Sequence, residues 1–141
     1  TIYVVFFAAN FVEPFQSFLI TLGVPLASWA GILIADILRR RADYDEKALF
    51  DPSGRYGAWD WTSIGTMVAA SVIGWGFVVN AFAESATWNN WQGYLLFLIG
   101  GKDGDWAYAN LGVFFALVLS FAVTYFARAA KIRAQESRRA D

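Results

Sequence analysis

Three long runs of apolar residues dominate the pattern along the chain, at residues 14–38, 61–82 and 106–127. A helix that crosses a membrane needs about 20 predominantly apolar residues, so each run predicts one spanning helix. A further run, residues 1–12, rises only ~18 Å as a helix and is interpreted as the end of a span that begins earlier. The run at residues 91–100 is also short, and we expect an interfacial or re-entrant piece. The pattern predicts an all-α, polytopic membrane protein.

All lysine and arginine residues lie outside these three runs, in the connections or in the C-terminal tail. Five of them fall in residues 39–60 and five in residues 128–141, whereas residues 83–105 contain only Lys102. Because short cytoplasmic loops are enriched in basic residues, we expect a cytoplasmic loop at 39–60, an extracellular loop at 83–105 and a cytoplasmic tail at 128–141. The protein is therefore expected to be a multi-pass protein of the cell (inner or plasma) membrane with its C-terminus in the cytoplasm.

The composition agrees with this class and excludes several kinds of chemistry. Hydrophobic residues make up 57% of the chain and charged residues only 16%, whereas soluble domains have about 25% charged residues. The chain contains neither cysteine nor histidine, which excludes disulfides, thiolate or imidazole metal sites and histidine catalysis. No basic groove indicates binding to nucleic acid. We expect no catalytic residues, no metal site and no cofactor.

The helix at residues 14–38 contains a second proline, Pro25, shortly after Gly23. Proline lacks the N–H group that would bond the carbonyl of Thr21, so the helix is expected to bend or open there. One interpretation is a hinge at Gly23 and Pro25 that lets the outer half of the helix, residues 14–22, move as a gate. The alternative is a static kink, since proline and glycine are common in spanning helices.

Polar residues share one face of this helix, because Ser17, Thr21, Pro25 and Ser28 fall within a sector of ~80°. This face is expected to avoid lipid, and its use is either a substrate path or hydrogen bonds to the preceding turn and to other helices. The candidates for a substrate gate are Phe15, Phe18, Leu19, Thr21 and Leu22. Ordinary packing is the alternative for the apolar ones.

Asp36 is the carboxylate nearest the end of this helix, one turn before Arg39 and Arg40. Side chains at these spacings meet on a helix surface, and an ion pair lowers the cost of a charge near the membrane. We therefore predict a structural ion pair of Asp36 with Arg39 and Arg40. The alternative is a proton relay, which requires a carboxylate that gains and loses its proton.

Small residues recur every fourth position in the last apolar run, at Gly112, Ala116, Ser120 and Thr124. Such a stripe lets helices approach closely. Similar spacings occur in the preceding run, and neither run contains a charge. Both are interpreted as packing surfaces.

A series of short motifs lies between residues 23 and 61: Gly-Val-Pro at 23–25, Trp-Ala-Gly-Ile-Leu-Ile-Ala-Asp at 29–36, Arg-Arg-Arg at 39–41, Ala-Leu-Phe at 48–50, Gly-Arg-Tyr at 54–56 and Asp-Trp at 60–61. This series resembles the C-terminal signature of the nucleobase:cation symporter-1 family, and is most similar to purine/cytosine permease-like members from bacteria. The sequence departs from the usual family residues at Ser28, Ile37, Phe50 and Asp60.

The resemblance implies a leucine-transporter-like inverted-repeat fold, of which the chain holds the end of helix 9 and helices 10 to 12. It implies a symporter that imports a nucleobase or related compound (cytosine, purine, uracil, allantoin or hydantoin) with Na⁺ or H⁺ by alternating access. The coupling cation and the principal substrate ligands are expected outside this segment, on the remaining helices of the same transporter. The outer gate of the family maps to residues 15–22, flexing near Gly23 and Pro25.

The first residues of the chain bear on two interpretations, a portion of a longer protein or a protein that is complete in itself. Because it begins at Thr1 within an apolar run, with neither Met nor the basic segment of a signal peptide, we expect the C-terminal portion of a longer protein. The alternative is a small membrane scaffold or accessory subunit, without transport activity, that binds a partner through the stripe beginning at Gly112. A membrane enzyme is not favoured, because no loop presents a nucleophile with a base.

Overall fold

The computed structural model describes residues 11–41, 43–54, 56–81 and 90–137, and within these ranges the regular structure is entirely helical. Most of the short apolar run at 1–12 lies outside the described residues. The helices are α1 (Val12–Arg39), α2 (Glu46–Leu49), α3 (Trp61–Gly76), α4 (Leu111–Ala127) and α5 (Ala129–Ser137), with a 3₁₀ helix at Leu96–Ile99. The all-α prediction is confirmed for the described residues.

Helices α1, α3 and α4 pack together as a bundle. The contact between α1 and α4 is the most extensive, and α3 packs against both. A small apolar core of Val24, Ala27, Val78 and Ala116 lies between them. Few large side chains fill this core, so close approach of the helices makes up much of the packing.

Small residues allow this close approach. All members of the stripe Gly112, Ala116, Ser120 and Thr124 are buried. A Cβ atom added at Gly112 would lie 1.9 Å from the carbonyl oxygen of Gly74, and one at Gly31 would lie 2.3 Å from Oγ of Ser120. The packing role predicted for the stripe is therefore confirmed. On the opposite side of α3, Gly65 faces open space.

A loop returns over the end of α3 and explains why that helix ends at Gly76, before residue 82. The backbone N–H of Gly93 donates to the carbonyl of Trp75 at 2.9 Å, and that of Leu95 donates to Gly76 at 2.8 Å. These bonds satisfy carbonyl groups that have no partner within a helix. The segment 91–100, expected to be interfacial or re-entrant, thus caps the bundle.

One described helix, α1, is long and apolar enough to cross a membrane, and α4 with α5, bent by 52°, is a second candidate if the pair is counted as one span. Helices α3 and α4 contain 16 and 17 residues. They rise ~24 Å and ~26 Å, slightly less than a hydrocarbon core of ~30 Å. Association with a membrane is therefore supported by α1.

Candidate functional site

Helix α1 presents two different faces. The buried face packs against α3 and α4 and includes Ser17, Val24, Ala27, Ser28, Gly31, Ala35 and Asp36. The four apolar gate candidates lie on the other face, where Phe15 is 44% exposed, Phe18 and Leu19 are 47% exposed and Leu22 is 36% exposed. Thr21, the fifth candidate, lies toward the bundle, where it forms hydrogen bonds.

Helix α1 continues through Pro25 without interruption. The carbonyl of Thr21, which Pro25 leaves without an N–H partner, accepts a hydrogen bond of 2.8 Å from the indole Nε1 of Trp75 in α3. An indole is a donor only, so this contact satisfies both groups. A side chain of the neighbouring helix α3 thus supplies the hydrogen-bond donor that the proline lacks.

Further polar side chains surround this point. The Thr21 hydroxyl donates to the Ser17 carbonyl at 3.0 Å and accepts from Nε2 of Gln92 at 2.9 Å. Nδ2 of Asn80 donates to the same Ser17 carbonyl at 3.1 Å. These hydrogen bonds connect the polar face of α1 to the preceding turn of the same helix, to α3 and to the capping loop. They match the alternative in which this face forms hydrogen bonds to its own turn and to other helices. Oε1 of Gln92 is buried and has no hydrogen-bond partner among the described residues.

The repair of the proline gap can be tested by a double-mutant cycle. In the full-length protein, Trp75→Phe is expected to lower the free energy of unfolding by about 1–3 kcal/mol, because it leaves the Thr21 carbonyl unsatisfied. In a Pro25→Ala background the loss should be smaller, since the alanine N–H can donate to that carbonyl. Denaturant unfolding in detergent micelles measures both losses, and equal losses in the two backgrounds would contradict the assignment.

A charge cluster lies at the other end of α1 and consists of Asp36, Arg40, Tyr44, Asp60, Arg128 and Lys131. Asp36 is 5% exposed and accepts hydrogen bonds from Nε of Arg40 at 2.7 Å and from an Nη of Arg128 at 2.6 Å. The Tyr44 hydroxyl donates to the same carboxylate. The loop after α1 and the end of α4 are thus joined through one buried anion.

Asp60 is the second anion of the cluster. It accepts hydrogen bonds from Lys131 at 2.8 Å and from Ser63 at 2.6 Å. Nε of Arg128 lies 2.8 Å from Oδ2 of Asp60 but makes no hydrogen bond, so this contact is electrostatic. Partial burial would raise the pKa of Asp60, but the hydrogen bonds and the positive charge of Arg128 outweigh it and hold this pKa below its usual value. The stability that ionised Asp60 contributes to the fold is present at neutral pH and is lost as the pH falls through that lowered pKa.

Aromatic rings and an amide surround Arg40. Its guanidinium carbon lies 4.4 Å from the ring centre of Tyr44 and 5.3 Å from that of Tyr56, and its Nη2 donates to Oε1 of Gln135 at 3.0 Å. Burial opposes the charge of Arg40, but hydrogen bonds to Asp36 and Tyr44 outweigh it and keep the pKa of Arg40 above its ordinary value. Burial and then the bond to Asp36 raise the pKa of the Tyr44 hydroxyl. Arg40 therefore stays charged and Tyr44 stays neutral.

The structure brings together part of the predicted ion pair. Asp36 meets Arg40, whereas the guanidinium carbon of Arg39 lies 4.6 Å from the ring centre of Tyr125. Sequence reasoning missed Arg128 and Asp60 as partners. The arginines beside Asp36 already supplied a local partner, so no pattern required one 92 residues away.

Trp75 and Gln92 were also missed as partners of α1. A free carbonyl at Thr21 was a usable signal for some donor, but nothing in the spacing of residues pointed to a tryptophan in another helix. Among the described residues no group of three or more His, Cys, Asp or Glu is placed to hold a metal ion.

Comparisons with known proteins give no further indication of function. No family model matches the sequence, no curated protein is similar to it, and no solved structure is similar to its fold.

Proposed function

We propose that this chain is the C-terminal portion of a secondary transporter that imports a nucleobase-like compound with Na⁺ or H⁺. The proposal rests on the motif series between residues 23 and 61, which resembles the nucleobase:cation symporter-1 family. In such a transporter, α1 corresponds to helix 10, and α3 and α4 to helices 11 and 12. The remaining helices supply the principal substrate and cation ligands.

The structural observation that best supports the proposal is the contrast between the two faces of α1. One face is tied to α3 and α4 by polar contacts, while Phe15, Phe18 and Leu22 point away from them and are substantially exposed. A protein rarely leaves a large apolar face without a partner. In our proposal this face contacts lipid and the rest of the transporter. Its outer part closes over the substrate.

The strengths of the contacts suggest which half of α1 moves. The inner half is held by Asp36, a buried carboxylate with two arginine partners, and breaking such a pair costs about 3–5 kcal/mol. The outer half is held at Thr21 and Ser17 by hydrogen bonds between neutral groups, each worth about 0.5–1.5 kcal/mol net. In our proposal the inner half stays fixed and the outer half opens and closes near Gly23 and Pro25.

The space around Gly23 makes the hinge testable. A Cβ atom at Gly23 would meet nothing within 4 Å, so Gly23→Ala with Pro25→Ala should preserve the fold while it stiffens the helix. Alanine favours a straight helix by about 1 kcal/mol over glycine. If the bent state must overcome that preference, initial uptake should fall about fivefold or more.

The measurement is uptake of radiolabelled cytosine, purines, uracil, allantoin and hydantoins by cells that express the full-length protein, with and without sodium. Gly65→Ala is the matched control, because Gly65 also faces open space but lies in α3. The amount of protein in the membrane is measured for each variant. Uptake by the double variant that equals uptake by the control would remove the hinge, and no uptake of any compound would contradict the transporter.

The alternative of an accessory subunit loses its proposed docking surface. Gly112 packs against Gly74, and Ser120 packs against Gly31, so the stripe already contacts α3 and α1. A partner would have to use the exposed face of α1 instead. The uptake experiment distinguishes the two, because an accessory subunit transports nothing by itself.

A further inference from the structure

A cavity of about 660 Å³ opens beside the charge cluster, where the ends of α1 and α4 meet α5. This volume lies within the range of small-ligand sites, about 300–1,000 Å³. The residues of its wall that carry the argument are Leu38, Arg39, Arg41, Tyr125, Arg133 and Glu136. The charged groups of this wall are therefore guanidinium groups and one carboxylate.

The charged side chains of this wall differ in whether they have an ion-pair or hydrogen-bond partner. Arg40, which also borders the cavity, is bound to Asp36. Within the described part of the chain, the side chains of Arg41 and Arg133 have neither an ion-pair nor a hydrogen-bond partner. Glu136 accepts from the backbone N–H of Arg41 at 2.7 Å, a neutral donor. The cavity thus holds an excess of positive charge that its own residues do not neutralise.

Apolar surface adjoins these cations. Leu38 is 65% exposed at the end of α1. Tyr125 stacks on Phe121, one turn further into α4, with ring centres 5.7 Å apart. The cationic wall therefore continues into a surface that an acyl chain can cover, on the helix that is long and apolar enough to cross a membrane.

We propose that this cavity binds the phosphate headgroup of an anionic phospholipid, with Arg41 and Arg133 as its main cationic contacts. Guanidinium groups bind phosphate oxygens through paired hydrogen bonds. Basic pockets at the cytoplasmic ends of spanning helices are suited to anionic headgroups. The acyl chains lie along Leu38 and the ring of Tyr125. A free phosphate ion would use the charges but not the adjoining apolar surface.

The test compares two short-chain lipids that differ only in their headgroups. The full-length protein in neutral detergent is titrated with dihexanoyl phosphatidylglycerol and with dihexanoyl phosphatidylcholine, and binding is followed by calorimetry. Phosphatidylglycerol should bind at least about tenfold more tightly, because each basic residue near an anionic lipid surface strengthens its binding about fivefold. Equal affinity of the two lipids would overturn the proposal.

The variants assign the site. Arg133→Gln and Arg41→Gln should each weaken binding of phosphatidylglycerol about fivefold, whereas Arg133→Lys should retain most of it. Lys47→Gln is the matched control, because it removes one exposed cation of the loop after α1 without touching the cavity. Equal losses for Arg133→Gln and Lys47→Gln would place the lipid elsewhere.

A final arm separates the two sources of phosphate. Glycerol phosphate, which lacks acyl chains, should bind at least about tenfold more weakly than the lipid if apolar contacts contribute. Equally tight binding of glycerol phosphate would show a site for a soluble phosphate compound and overturn the lipid assignment. Because the readout is binding rather than uptake, these results are independent of the proposed transport.

Discussion

Replacement of Asp36 by asparagine is expected to lower the free energy of unfolding of the full-length protein by about 3–5 kcal/mol, because breaking a buried ion pair leaves its partner uncompensated. The partner most affected is Arg128, which is only 9% exposed. Arg40 would keep its contacts with Gln135 and with the rings of Tyr44 and Tyr56. The measurement is denaturant unfolding in detergent micelles.

A double-mutant cycle separates this ion pair from a general effect of charge. Asp36→Asn combined with Arg128→Gln should lose less than the sum of the single losses, because neither variant group then leaves the other unpaired. Asp103→Asn is the control, since Asp103 is exposed and has no hydrogen-bond or ion-pair partner within the described part of the chain. It should change stability by no more than about 0.5 kcal/mol. Additive losses would show that Asp36 and Arg128 do not interact.

The same variant addresses the proton-relay alternative for Asp36. If Asp36 serves only in the structural ion pair, the Asp36→Asn protein that does reach the membrane should keep the dependence of uptake on pH and sodium. If Asp36 carries the coupling proton, that dependence should disappear even in the folded fraction. Asp36 has three hydrogen-bond donors around it, which favours the structural role.

Gly112→Val is expected to prevent normal packing of α4 against α3 and to lower stability by about 3 kcal/mol or more. Overpacking of a core usually costs about 1–3 kcal/mol, and here the added atom would meet backbone rather than a mobile side chain. Even a methyl group at Gly112 would lie 1.9 Å from the Gly74 carbonyl oxygen. The helices would therefore have to move apart, which also opens the contact of Gly74 with Val24.

Gly65→Ala provides the matched control for this prediction. It lies in α3, but faces open space, and alanine favours a helix by about 1 kcal/mol over glycine. Gly65→Ala should therefore be neutral or stabilising in the same unfolding experiment. A Gly112→Val protein as stable as the Gly65→Ala protein would mean that α3 and α4 do not approach each other as closely as described.

Several features of the fold followed from local sequence patterns. The lengths of the apolar runs predicted α1, α3 and α4, although the capping loop ends α3 at Gly76 rather than at residue 82 and α4 begins at Leu111 rather than at residue 106. The spacing of Asp36 and Arg40 predicted their contact, because residues one turn apart meet on any helix. The stripe of small residues predicted a packing face, because lipid gives no reason to align them.

The sequence by itself therefore determined the central parts of α1, α3 and α4, which segments suit a membrane and which small residues form a contact face, since each depends on neighbours within a few turns. It did not predict α5, which lies in the expected tail. Only the tertiary structure decided that Trp75 donates to the carbonyl freed by Pro25, that Arg128 joins Asp36 to Asp60, and that Phe18 lies on the open face of α1. The physical reason is that such contacts depend on the rotation and register of one helix against another. These quantities are set by packing across the whole bundle, and no local spacing encodes them.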